Sequence, residues 1–173
     1  MLKPFISPLN KTPFFLLFFM ASNVCALESD KEADFELDAD NLVNLPQLNN
    51  GVARVKFWDN VTIQQGTLKI KADEAVVYSG SDGMEKVLLK GSPIEMEQFI
   101  DASYGKINIK AKQIDFMMKD KMLLMSGNVI ISSKIQGQMH GEKISMNLKT
   151  KEIKGMKSKD SDNRVRLVIP GKK

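Results

Sequence analysis

His140 and Cys25 are the chain's only histidine and only cysteine, and they are the side chains best suited to ligate a metal or attack a carbonyl. Neither has company. Cys25 falls in an N-terminal apolar leader, so a zinc site in the body of the chain would need carboxylates alone, which is not how zinc is held. His140 stands beside Gly141 at what reads as a turn, the setting of a surface histidine, with no orienting carboxylate near it in sequence. A serine nucleophile would lack the Gly-x-Ser-x-Gly setting, and glycine-rich phosphate loops are missing. The acidic pair Asp73-Glu74 occupies adjacent strand positions, whose side chains point to opposite faces and cannot act together as acid and base. The reading is a non-enzyme, with no catalytic residue, no metal and no cofactor.

What the sequence does carry is alternation. Phe35, Leu37 and Ala39 are apolar between acidic neighbours, and the same parity returns at Val61 and Ile63, at Leu68, Ile70 and Ala72, and at Ala75 and Val77. It recurs at Ile94 and Met96, Ile107 to Ala111, Ile114 to Met118, Val129 and Ile131, Ile144 and Met146, and Val165 to Ile169. One face of each strand is dry and one wet. Turn residues punctuate the runs at Asn49-Asn50-Gly51, Gln64-Gln65-Gly66, Ser79 to Gly83, Gly91-Ser92-Pro93 and Ser126-Gly127-Asn128. Pro93 is read as opening a run, and Lys157 to Asn163 as a polar loop before a last strand, Arg164 to Ile169.

Four segments share a template of a small residue, a polar pair and an apolar alternation. They begin at Ala39, Ala72, Ala111 and Gly141. Each is followed by a second strand-like run, at Val52 to Phe57, Val87 to Leu89, Met122 to Met125 and Glu152 to Lys154. Recurrence at this spacing predicts stacked strand pairs that bury together a face none could bury alone, in an elongated all-β body. Methionines at dry positions, Met96, Met118, Met125, Met139 and Met146, suit either a gap-filled core or a face that repacks around irregular apolar ligands.

Residues 1–26 have the layout of a secretory signal. Lys3 and Lys11 make a basic start, Pro13 to Ala21 an apolar stretch short of the roughly 20 residues a membrane span needs, and Val24-Cys25-Ala26 a cleavage site. An uncleaved anchor and a lipoprotein anchor at Cys25 are the alternatives, the second disfavoured by Val24 before the cysteine. Cleavage leaves residues 27–173 as a single domain without cysteine, exported and stapled by no disulfide. Losing Lys3 and Lys11 lowers the formal charge from +4 to +2, which argues against a nucleic-acid partner.

The stretch from Asp59 to Val77, with its partial echo Ser126-Gly127-Asn128-Val129-Ile130-Ile131, resembles the signature region of the LptA/OstA-like family of periplasmic lipopolysaccharide-transport proteins. The resemblance runs from about Phe35 to Pro170, with Asp59 where the family often has glycine and Gly141-Glu142 where the template has Ala-Asp. It implies a twisted V-shaped β-jellyroll built from tandem strand pairs, its two sheets enclosing an apolar groove open at both ends. It also implies a periplasmic location, lipopolysaccharide as ligand, an LptC-like inner-membrane component at the N-terminal edge and an LptD-like outer-membrane component at the C-terminal edge; pairing through main-chain edges further predicts head-to-tail self-association.

By parity and size, the residues expected to line a lipid groove are Phe35, Leu37, Val61, Ile63, Ile70, Met96, Ile114, Phe116, Met118, Val129 and Ile131. The expected edge strands run from Phe35 to Ala39 and from Val165 to Ile169. Two other readings share much of the pattern. A β-solenoid enzyme on wall polysaccharide would need aromatic platforms, and beyond phenylalanine only Trp58, Tyr78 and Tyr104 could supply them. A protein-only scaffold with a filled core differs in the groove alone.

Overall fold

The computed structural model describes residues 33–45, 52–157 and 164–171. The leader, the Asn49-Asn50-Gly51 turn and residues 158–163 of the polar loop lie outside the described residues. Among the described residues ten strands follow one another: β1 (Glu36–Asp38), β2 (Asn41–Leu45), β3 (Ala53–Gln65), β4 (Leu68–Gly80), β5 (Gly83–Phe99), β6 (Lys106–Met117), β7 (Met122–Ser133), β8 (Gly137–Asn147), β9 (Ile153–Met156) and β10 (Arg166–Val168). All pairings are antiparallel, and β3 to β8 form a simple meander in which sequence neighbours are spatial neighbours. The fold is all-β, as the alternation requires, with no helix among the described residues.

The six central strands hold 11 to 17 residues each, about twice the common strand length, because each serves two halves of the structure. Every one of the five central pairings loses register near its middle. The breaks fall between Trp58 and Val61 on β3, Lys71 and Glu74 on β4, Lys90 and Ile94 on β5, Lys110 and Gln113 on β6, and Ser126 and Val129 on β7. Aligned side by side, the breaks draw a crease across the sheet at right angles to the strands. A bulge bends its strand and sharpens the local twist, so a row of them folds one sheet into two legs. The two sheets expected from the resemblance are therefore one sheet, creased.

The residues at the crease explain why it forms there. Asp59, Asn60 and Asn128 take left-handed backbone, with φ of 63°, 52° and 51°, which Asp and Asn tolerate better than other side chains. Gly127 joins them at +81°. Small residues fill the inner angle where the legs meet: Ala72, Ala111 and Gly141 are all buried. Larger side chains at those positions would hold the legs apart.

This geometry corrects several expectations. Gly91-Ser92-Pro93 and Ser126-Gly127-Asn128 are not turns but bulges inside β5 and β7, and Pro93 stands within a strand, at a bulge where its missing N–H breaks no ladder bond. Of the template residues, Ala72, Ala111 and Gly141 stand near the middles of their strands, and Ala39 lies between β1 and β2. His140 is not near a turn; it lies in β8, half-buried, opposite Ile130 and Arg166. Asp73 and Glu74 do not face opposite ways. The alternation slips between them, so Asp73 is exposed and Glu74 binds Lys56 at 2.7 Å on the same wet side. The last strand is also shorter than read, three residues instead of six.

Both legs contribute to a single core. Val61, Ile94, Ile114, Val129 and Ile144 are its most enclosed large side chains, all within two or three residues of the crease. The outer face carries the charge, in cross-strand pairs such as Lys110 with Glu95 at 2.6 Å and Lys86 with Asp115 at 2.8 Å.

Candidate functional site

Between the legs runs an apolar cleft with a cavity volume of about 70 Å³, or about 770 Å³ of atom-free space when its open mouth is counted. One wall is made by Ile63, Leu68, Ile70 and Met96, from the halves of β3, β4 and β5 that meet at the β3–β4 turn. The other is made by Met84, Val87, Leu89, Ile114, Phe116 and Leu123, from the opposite halves of β5, β6 and β7. Phe35, Met118 and Leu148 complete the lining. A second, smaller space lined by Ile100, Ile107, Ile109 and Met146 shares Met96, Gln98, Leu123 and Leu148 with the first. The apolar interior thus extends along the sheet toward β8.

Two polar side chains break this lining. Gln65 and Gln98 are buried at 7% and 3% exposure on the dry side of β3 and β5, and Gln65 donates from Nε2 to the Ala33 carbonyl at 3.3 Å. An amide buried there is tolerated because it is bonded. Outside the cleft, lysines surround the carboxylates of β5. Glu95 is held below the usual carboxylate range by the Lys110 hydrogen bond and charge, and Glu97 by its hydrogen bond to Lys106. Wet and dry faces are sharply separated across one strand thickness.

The residues expected to line a groove divide into two groups. Phe35, Ile63, Ile70, Met96, Ile114, Phe116 and Met118 do line the cleft. Val61, Val129 and Ile131 are buried in the core instead, the first two at the crease where the legs touch, and Leu37 packs half-buried against that core. Leu68, Met84, Val87, Leu89, Leu123 and Leu148 line the cleft as well and were not among the expected residues. Their parity is visible in the sequence; which dry positions border free space depends on distance from the crease. Gln65 and Gln98 gave no signal, since both are polar.

At the two ends of the meander the sheet ends in short strands. Among the described residues, β1 and β2 pair only β3, and β9 and β10 pair only β8. Phe35 and Ala39 flank β1, and Val165 and Ile169 flank β10, so the expected edge residues do stand at edges. Among the described residues there is no group of three or more His, Cys, Asp or Glu placed to hold a metal ion.

Residues 36–152 match the family model described as LptA/(LptD N-terminal domain) LPS transport protein. The lipopolysaccharide export system protein LptA of Haemophilus influenzae is 27% identical over 150 residues, covering 84% of this chain and 83% of that protein. LptA of Escherichia coli K12 is 29% identical over 118 residues, 66% of this chain, which spans 61% of that relative's length. The same fold is seen in the crystal structure of LptH, the LptA homologous periplasmic component of the conserved lipopolysaccharide transport device from Pseudomonas aeruginosa. That match has a TM-score of 0.68 at 18% identity, covering 83% of this chain and 99% of the other.

Proposed function

Because the chain belongs to the LptA/LptD N-terminal domain family of LPS transport proteins, we propose that it is a periplasmic bridge protein carrying lipopolysaccharide from the inner to the outer membrane. The acyl chains of lipid A would be shielded between the legs. The observation that carries this reading is the continuous apolar cleft between Ile63, Met96 and Phe116, open at its mouth and lined by the unbranched side chains Met84, Met96 and Met118. Each methylene removed from water contributes about 0.8 kcal/mol, so one acyl chain of ordinary length costs on the order of 10 kcal/mol to hold in solution. A dry channel removes that barrier. The cavity of about 70 Å³ is small, so lipid enters by displacing flexible methionines and parting the legs.

In this reading residues 1–26 are a cleaved signal and residues 27–173 the working domain, acting as a carrier without catalysis. The relatives are transport proteins, which supports it. The N-terminal edge, β1 with β2, would receive an LptC-like inner-membrane component, and the C-terminal edge, β9 with β10, an LptD-like outer-membrane component or a second copy.

Photo-crosslinking in cells tests the site. A probe at position 116, on the cleft wall, is expected to give a lipopolysaccharide adduct, and one at Asp115, which faces outward to Lys86, is expected to give none. No adduct from either position would favour the protein-only scaffold.

A further inference from the structure

We propose that the tail edge of one copy seats on the head edge of a second in a single register, selected by two Arg–Asp pairs on the wet side. The inference rests on the head-to-tail association proposed above and adds to it the register and the residues that choose the partner edge.

Strand direction comes first. Along the meander β1 runs parallel to β8, the strand that β10 pairs antiparallel. A second copy in the same orientation therefore presents its β1 antiparallel to β10, and the sheet continues without reversal. The crease sets the register. On the head edge Asp38 stands opposite Thr62, so Ala39 is level with Val61, in the crease row. On the tail edge Arg166 stands opposite His140, so Val165 is level with Gly141, which faces Val129 in the same row. A Cβ built on Gly141 would lie 3.7 Å from a Val165 methyl, and one on Gly155 2.6 Å from the other, so Val165 fills the inner angle left by two glycines.

A crease that runs unbroken from copy to copy aligns Val165 with the second copy's Ala39. Alternation then fixes the rest. Inside, Leu167 meets Leu37 and Ile169 meets Phe35. Outside, Arg164 meets Asp40 and Arg166 meets Asp38. The tail's inner residues are uncovered in the single chain, Leu167 at 55% and Ile169 at 70% exposure, as a surface awaiting a neighbour would be. The wet positions of the head edge, Asp34, Glu36, Asp38 and Asp40, are all acidic, while the tail edge has Arg164 and Arg166. Head-on-head pairing stacks carboxylate on carboxylate and tail-on-tail stacks arginine on arginine. Apolar contact supplies affinity, and charge rejects the wrong edge.

Light scattering at low salt tests the charges. Arg164→Asp with Arg166→Asp is expected to weaken self-association at least tenfold. Mixing that variant with Asp38→Arg, Asp40→Arg is expected to restore assembly with the two variants alternating, since each tail then meets a head of opposite charge, which also shows that both variants are folded. Unchanged assembly by either variant alone, or no rescue on mixing, overturns the proposal. Disulfide trapping in a Cys25→Ser background tests the register: Glu36→Cys with Val168→Cys should close, and Glu36→Cys with Arg166→Cys should not. Assembly trapped at the displaced pair would overturn the register and leave head-to-tail association standing, whereas a chain that stays monomeric at every concentration overturns both.

Discussion

Gly127 lies beneath the side chain of Lys112: a Cβ at position 127 would come within 2.6 Å of the Lys112 Cβ, and the glycine backbone has a φ of +81°. The contact joins β6 and β7 at the crease, where both strands leave their register. Two constraints coincide there, a left-handed backbone and no room for a methyl group. Gly127→Val should therefore destabilise the fold by at least ~1–2 kcal/mol from the backbone alone, with the clash in addition. Denaturant unfolding monitored by circular dichroism would measure it. A midpoint equal to the parent's would mean that the crease does not need glycine.

Ile94 is fully buried at the same crease, on β5. Ile94→Ala should cost about 2–5 kcal/mol, the range for a large apolar side chain removed from a packed core. Leu124, 44% exposed on the outer face of β7, should cost less than ~0.5 kcal/mol when changed to alanine. The contrast separates core from surface on strands of one sheet, and equal losses would contradict the assignment of faces.

Phe116 is half-buried and borders the cleft rather than the crease. Phe116→Asp is expected to be exported and folded yet to retain little lipopolysaccharide on purification. Retention equal to the parent's would remove Phe116 from the lipid path.

Asp101 closes the β5–β6 turn by accepting the Ser103 and Tyr104 N–H groups at 2.8 and 2.9 Å, and its other oxygen binds Lys151 Nζ at 2.6 Å. The Lys151 hydrogen bond, then the backbone ones, hold its carboxyl below the usual range. A carboxylate with a depressed folded pKa stabilises the fold at neutral pH, and that contribution is lost as pH falls through the depressed value. An NMR titration should find Asp101 ionised at a pH where ordinary aspartates are half protonated. Lys151→Met should raise its midpoint toward theirs, and no change would show that the backbone alone holds it.

The alternation made the strands and their dry faces legible, because period-2 burial leaves no other way to sort Ile107, Ile109 and Ala111 from Lys106, Asn108 and Lys110. The crease was not legible as such. Glycine, proline, serine and asparagine serve turns and bulges for the same backbone reasons, so Gly91-Ser92-Pro93 and Ser126-Gly127-Asn128 looked like chain reversals. A subtler mark was present. On β4 the dry positions are even at Ile70 and Ala72 and odd at Ala75 and Val77, a slip of one that a straight strand cannot make. The cleft residues were half legible for a related reason: parity says that Ile63 and Val61 face inward, but only the angle between the legs decides that Ile63 borders space and Val61 does not.

The meander gives every central hairpin a share in both legs and in the row where they meet. Bore and length are thus governed by different parts of the sequence. The side chains on either side of the bend decide how wide the passage is, while the number of hairpins decides how long it is. Inserting one more hairpin with its own small-residue bend would lengthen the passage by two strand spacings, about 10 Å, and leave its cross-section alone. A gene duplicating such a unit could span a wider gap between membranes without redesigning the wall.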